Sequence, residues 1–239
     1  LIIGGRTALN ELVGWKNAPK PIVNILDAGR SKLVEVLGVA DEIPSSVAKE
    51  NIKALDIIDT EGWSSFTGKY KDRLDFTMEE NRADWRFFVP LDRNSVVLDV
   101  GAGLGRISIP LARVVKKVVA CDTSVVRMKF LKKLAESKEL GNIEVIVADI
   151  FNPPLEKESF DLIVMNGLLE WVGKTDLYKN PREAQIACLK ICRGFLKKGG
   201  FLYIGIENRF ATAYLRGIDP SGLRFTNQSY NLIFFNENN

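Results

Sequence analysis

The chain has 239 residues, 46% of them hydrophobic and 26% charged, and 33 Lys and Arg against 30 Asp and Glu give a net charge of +3. That composition suits a globular protein with a sizeable core, and the nearly balanced charge demands no polyanionic partner. The complete absence of histidine excludes Ser-His-Asp chemistry and most metal sites, and Cys121, Cys188 and Cys192 lack the spacing of a zinc site.

In chain order, the first 90 residues have mostly helical spacing. PIVNILDAGRSKLVEVLGV, PSSVAKENIKALDII and DFTMEENRADWRFFV are expected to be helical, and TEGWSSFTGKY is expected to be a loop. Residues 1–90 therefore read as a helical appendage, with FTGKYKDR as part of a lid, and residues 91–239 as the main domain. From residue 96 onward, strands alternate with helices. VVLDV (96–100) is a strand, followed by a helix from about Leu104 to Val114 in which Pro110 delays regular hydrogen bonding. KVVACD (117–122) is the next strand, and Thr123 or Ser124 caps a helix that runs to Gly141-Asn142. IEVIVAD (143–149) and FDLIVMN (160–166) follow. Asn180 caps a helix from Pro181 to Leu196, which leads into FLYIGIE (201–207). Five apolar strands separated by helices predict an α/β fold, a doubly wound, mostly parallel sheet covered on both faces. No apolar run approaches the roughly 20 residues that span a bilayer, and three cysteines without histidine fit a reducing cytoplasm, the expected location. The chain begins with Leu rather than Met, as expected of a fragment of a longer protein.

The stretch SVVLDVGAGLGRISIPLA places three glycines, Gly101, Gly103 and Gly105, between a strand and a helix, directly behind Asp99. Glycines let the backbone turn tightly and approach a ligand without a Cβ in the way, while the helix start offers unpaired N–H groups. The spacing is GxGxG, not the GxGxxG of dinucleotide-binding folds. A tight turn serving helix–strand packing would use the same residues. Asp122 ends the second of these strands, 19 residues after Gly103, where an acid can accept from ribose hydroxyls. Asp149 ends the third, placed for an exocyclic amine, with Ile150 and Phe151 beside it for a ring.

VVLDVGAGLGR, VVACDTS, VIVADIF, FDLIVMNGLLEW and LKKGGFLYIGIEN together resemble class I S-adenosylmethionine-dependent methyltransferases. The resemblance implies a seven-stranded Rossmann-like sheet whose last strand is antiparallel, and S-adenosylmethionine as cofactor. It puts Gly101, Ala102, Gly103 and Gly105 under the methionyl part, Asp122 with Thr123 at the ribose, and Asp149 with Ile150 at the adenine. Asp99 would lie near the amino group, and Asn166 would also border the cofactor. YNLIFFN is a candidate closing strand, unless the domain is cut short. Asn152-Pro153-Pro154 follows the third of these strands rather than the fourth and lacks an aromatic, so it reads as a turn and not as the NPPY-type motif of amino-group methyltransferases.

Methyl transfer from a sulfonium needs alignment, exclusion of water and, at times, a base. Glu170 is the candidate base, with a solvated loop acid or a cofactor-side contact as the competing readings, and Asn166 stands beside it. Acceptor-side candidates are Trp171, Glu207, Asn208 and Arg209, with Tyr70 and Lys69 from the appendage. These groups suit a polar small molecule or glycan methylated at oxygen, and IENRF resembles a subset associated with surface-glycan biosynthesis. Nucleic acid is not expected, because no dense basic and aromatic patch occurs. Two rival readings are a non-catalytic partner subunit that keeps the fold and a nicotinamide-dependent oxidoreductase. The oxidoreductase would need a different glycine spacing and a Tyr-x-x-x-Lys pair or a histidine acid.

Overall fold

The computed structural model describes residues 23–28, 31–36, 45–71, 80–173, 180–206 and 233–236. In chain order these form strands β1 (Val23–Ala28) and β2 (Ser31–Val36), helix α1 (Ser45–Tyr70) and a 3₁₀ helix (Glu80–Phe88). There follow β3 (Val96–Val100), α2 (Ser108–Ala112), β4 (Lys117–Asp122), α3 (Val125–Ser137) and β5 (Ile143–Val147). Then come β6 (Phe160–Asn166), α4 (Pro181–Phe195), β7 (Leu196–Gly205) and β8 (Ile233–Asn236). The sheet order is β1-β2-β5-β4-β3-β6-β7-β8. The centre, β5-β4-β3-β6-β7, is parallel throughout, as buried β-branched runs on both sides of helical crossovers require.

Three expectations change at the edges. PIVNILDAGRSKLVEVLGV is not helical: β1 and β2 pair antiparallel from Val23↔Val36 to Ala28↔Ser31, and β2 joins β5 in parallel. β8 pairs antiparallel with β7, so eight strands rather than seven make up the sheet among the described residues. TEGWSSFTGKY is not a loop. The chain breaks its helix only at Gly62, whose φ of 83° and ψ of 174° belong to a region open essentially to glycine, and α1 then continues to Tyr70.

Helix α1 packs against α3. Trp63 and Phe66 meet Phe130 of α3 edge-on at 5.7 and 5.5 Å, and Phe66 packs on Tyr70 at 5.2 Å. They belong to one hydrophobic cluster with Val97, Ala120 and Val164, on the sheet face that α2, α3 and the 3₁₀ helix also cover. Trp85 of the 3₁₀ helix stacks on Tyr203 of β7 with centroids 3.8 Å apart. The other face carries Leu98, Cys121, Ile163 and Met165, covered by Ala184, Cys188 and Cys192 of α4. Burial holds the Cys121 thiol well above its ordinary range, and hydrogen bonding to Cys192 together with burial does the same for Cys188, so both act as apolar packing groups.

Local signals explain the remaining boundaries. Helix α2 is shorter than expected, and Pro110 is its third residue, inside the first turn where a missing N–H costs nothing. Ser124 caps α3 by accepting from the Arg127 N–H, and α3 stops at Ser137, four residues short of Gly141. Asn180 caps α4 by accepting from the Arg182 and Glu183 N–H groups. At the amino end of the sheet, one oxygen of Asp161 accepts from the Val96 N–H and from Lys197 Nζ, both at 2.7 Å, which ties β3, β6 and β7 together. Among the described residues no helix is long and apolar enough to cross a membrane.

Candidate functional site

The carboxyl ends of β3, β4, β5 and β6 bring Asp99, Asp122, Asp149 and Asn166 to one edge of the sheet. Asp99, Asp122 and Asn166 share the face of Val97, Ala120 and Val164, because side chains alternate along a strand.

The glycine loop grows out of β3. The Gly101 and Ala102 N–H groups both donate to the Cys121 carbonyl, at 2.8 and 3.1 Å, which prolongs the β3–β4 pairing past the strand end. Gly101, Gly103 and Gly105 have φ of 73°, 55° and 89°, which side chains rarely adopt. Their surroundings differ. A Cβ on Gly105 would overlap the Leu131 side chain of α3, and one on Gly101 would stand 3.0 Å from Leu168. A Cβ on Gly103 would meet nothing nearer than the Gly101 carbonyl oxygen at 4.0 Å. Gly105 thus serves close packing, while Gly103 borders open space.

Asp122 anchors that open turn. One carboxylate oxygen accepts from the Gly103 N–H and the other from the Ser124 N–H, both at 2.9 Å. The loop and the start of α3 are therefore set by the same side chain. Thr123, next to it, is half-buried. Asp149 accepts from the Phe151 N–H at 2.9 Å in a local turn, and burial raises its pKa against that bond. Ile150 and Phe151 are buried in the cluster on the α4 face, so Phe151 is a core residue rather than an open ring platform.

Asp99 is 1% exposed and accepts from Ser108 Oγ at 2.6 Å. Burial pushes its pKa up to about 7, the Ser108 bonds oppose this, and the like charge of Asp122 adds to the rise. A carboxyl that binds its proton more tightly when folded makes the domain lose stability as pH rises from its ordinary value of about 3.9 towards that raised value. No sequence signal singled out Ser108. Its burial beside an acid emerges only from the fold.

Asn166 lies across the neighbouring strand, and a Cβ on Gly205 would overlap its carboxamide oxygen. The Gly167 N–H donates to the Gly205 carbonyl at 2.7 Å. Gly205→Ala should cost about 1–3 kcal/mol of stability by overpacking, measured by urea unfolding. Pairing it with Asn166→Ala should recover most of the loss.

The loop after β6 holds Glu170 half-buried, its Oε1 3.9 Å from where a Cβ on Gly167 would stand. Trp171 is 59% exposed. Tyr70 is 6% exposed and packed in the core, Lys69 is exposed on the last turn of α1, and of the expected lid Phe66–Tyr70 is helix, with Phe66 and Tyr70 buried, and Lys71 an exposed turn. The rest of that lid, residues 72 and 73, and Glu207, Asn208 and Arg209 lie outside the described residues.

The residues fit the cofactor that the sequence resemblance implies: a cradle without Cβ at Gly103, a strand-end acid directly beneath it, and a second acid one strand away. Comparison with known proteins agrees. Residues 98–204 match the family described as a methyltransferase domain. The chain is 29% identical over 154 residues to phosphoethanolamine N-methyltransferase 1 of Caenorhabditis elegans, covering 59% of this chain but 30% of that protein. It is 27% identical over 186 residues to the ubiquinone biosynthesis O-methyltransferase of Pelagibacter ubique, covering 73% of this chain and 71% of that one. It is 29% identical over 100 residues to a 23S rRNA (uracil(1939)-C(5))-methyltransferase of Xylella fastidiosa, covering 38% and 23%. Against the nematode and Xylella relatives the chain thus spans less than a third of their length. The loop and the strand-end acids agree with the match of residues 98–204 to a methyltransferase domain, and S-adenosylmethionine is the cofactor these findings support.

Proposed function

We propose that the protein transfers the methyl group of S-adenosylmethionine to an oxygen of a polar small molecule or glycan precursor, in the cytoplasm. The observation that carries the cofactor half of this reading is the contrast among the three glycines. Two abut side chains, and Gly103 alone borders open space above the Asp122 carboxylate. Asp122 and Thr123 would hold the ribose hydroxyls, Asp149 and Ile150 the adenine, and Gly101, Ala102 and Gly103 the methionyl chain. Asp99 would face the amino group from below, and Gly105 would keep α3 close behind the loop. When bound, S-adenosylmethionine supplies a methyl group on an activated sulfur leaving group. The chain's own part is to align the acceptor, exclude water and remove a proton.

Asn166 and Glu170 would meet the acceptor, Glu170 as base, with Trp171 as a face for a sugar ring. Glu207, Asn208 and Arg209 follow β7 in sequence and join this group as candidates. The amide, carboxylate and guanidinium of these side chains favour an acceptor rich in hydroxyl groups. The ending of β6 in Asn166-Gly167-Leu168, rather than in an NPPY-type run, supports oxygen over nitrogen. The resemblance of IENRF supports a glycan, and the balanced charge argues against a long nucleic acid. Residues 45–71 and 80–88 would wall the site from the α1 side as part of the same body. The relatives act on nitrogen, oxygen and an RNA base, so the acceptor atom is the point to test. Fractionated cell extract with radiolabelled cofactor should yield a methyl ether or ester, and methylated nitrogen or RNA would overturn the acceptor assignment.

Calorimetry should show that S-adenosylmethionine binds, whereas NAD leaves the melting temperature unchanged. Asp122→Ala should weaken cofactor binding by about 1.5–3 kcal/mol, the scale of lost charge-assisted hydrogen bonds. Unchanged affinity in that variant would remove Asp122 from the site.

A further inference from the structure

Ser108 belongs neither to the glycine loop nor to a strand end. It opens α2, is fully buried, and donates to Asp99 at 2.6 Å. Its position is enforced from both sides. The Ile109 N–H bonds back to the Gly105 carbonyl at 2.9 Å, so α2 starts directly off the loop, and Asp99 sits in register between Ala120 of β4 and Val164 of β6. Those neighbours are apolar, so among the described residues Ser108 supplies the hydrogen bonds that reach this carboxylate. The charged group that faces it is Asp122 on β4, a like charge. Cys121 lies on the opposite face, Asp149 stands one strand further along, and on the Asp99 face β6 contributes Val164 and Asn166, which carry no charge.

Such a carboxyl has two states of similar free energy. Neutral, it fits its dry surroundings. Ionised, it needs the Ser108 donors and a positive charge nearby. A cofactor with both a sulfonium and an ammonium group provides that charge just above the loop. We propose that Ser108 is a positioning residue for cofactor capture, holding Asp99 so that binding of the cationic cofactor drives one proton from Asp99 into solvent and affinity rises with pH through neutrality. This rests on the cofactor assignment above and goes beyond it, because it concerns a residue outside the glycine loop and a proton.

The sign follows from linkage. Below the raised value near 7 the free protein holds the Asp99 proton and must release it on binding, so affinity is lower there and climbs as pH rises. Without the Ser108 hydroxyl the ionised form loses a charge-assisted bond, and the climb moves to higher pH.

The experiment uses S-adenosylmethionine and calorimetry between pH 5.5 and 7.5, in two buffers of different ionisation enthalpy, so that the buffer dependence counts protons. The intact protein should release close to one proton at the acid end, and Asp99→Asn close to none. Ser108→Ala should bind about fivefold more weakly at pH 7, from a shift of about one unit in the profile, and should recover at higher pH. Ser108→Thr, which keeps the hydroxyl, should follow the parent profile. Carboxyl carbon NMR of the cofactor-free protein gives a readout that needs no ligand. The Asp99 signal should titrate near neutrality and move to higher pH in Ser108→Ala. A pH-independent affinity, equal proton release in Asp99→Asn, or an unmoved Asp99 titration in a folded Ser108→Ala would overturn the proposal. Failure of the intact protein to bind the cofactor at any pH would instead sink the cofactor-site reading itself.

Discussion

Gly103→Val should abolish measurable cofactor binding while the domain still folds, and Gly105→Val should strongly destabilise the domain. The two positions are two residues apart in one loop, and both hold positive φ, which costs a side chain about 1–2 kcal/mol. Only at Gly105 does the added group also run into Leu131, for which overpacking adds about 1–3 kcal/mol. The sum is a large share of a typical domain stability of about 5–15 kcal/mol. At Gly103 a Cβ meets no protein atom closer than the Gly101 carbonyl oxygen at 4.0 Å and stands over the turn that Asp122 anchors. Urea unfolding and calorimetry on both variants give the comparison. A Gly103→Val protein that binds S-adenosylmethionine normally would make the loop purely structural.

Glu170→Gln should lower turnover by about 10²–10⁴-fold, the range for loss of a general base, with cofactor affinity changed only a few-fold. Glu170 follows β6 on the loop that carries Leu168 over Gly101, and its Oε1 lies 3.9 Å from where a Cβ on Gly167 of that loop would stand. Glutamine keeps the size and the hydrogen-bonding reach of the side chain and removes only the ability to take a proton. Full activity in the variant would exclude Glu170 as the base. A parallel loss of cofactor affinity would mark it as a cofactor contact, the competing reading of this residue.

The parallel core was legible because its strands are nearly pure runs of Val, Ile and Leu that end in or just before Asp, Asn or Gly, and the structure places β3, β4 and β6 at the same residues. The edges were not. In β1 and β2 the polar residues Asn24, Asp27, Lys32 and Glu35 interrupt the apolar ones at spacings that a helix also satisfies, and pairing rather than periodicity decides between them. Gly62 did signal a break, but the residues after it, Trp63, Phe66 and Tyr70, recur at helical spacing and are pulled back into helix by Phe130, a partner far along the chain. The same holds at the site. Strand-end acids can be read from order alone, whereas the division of labour among the glycines depends on Leu131 and Leu168, and the Ser108–Asp99 bond depends on how α2 leaves the loop.

Asp161 fastens β3, β6 and β7 at their amino ends with one carboxylate, while the groups that would meet a cofactor or acceptor hang from the opposite ends of these strands. Errors and experiments in the loops at the free end leave that fastening untouched. A fold fastened this way lets loop residues change without loosening the sheet, in keeping with similarity to proteins named as a phosphoethanolamine N-methyltransferase, a ubiquinone biosynthesis O-methyltransferase and a 23S rRNA uracil C(5)-methyltransferase.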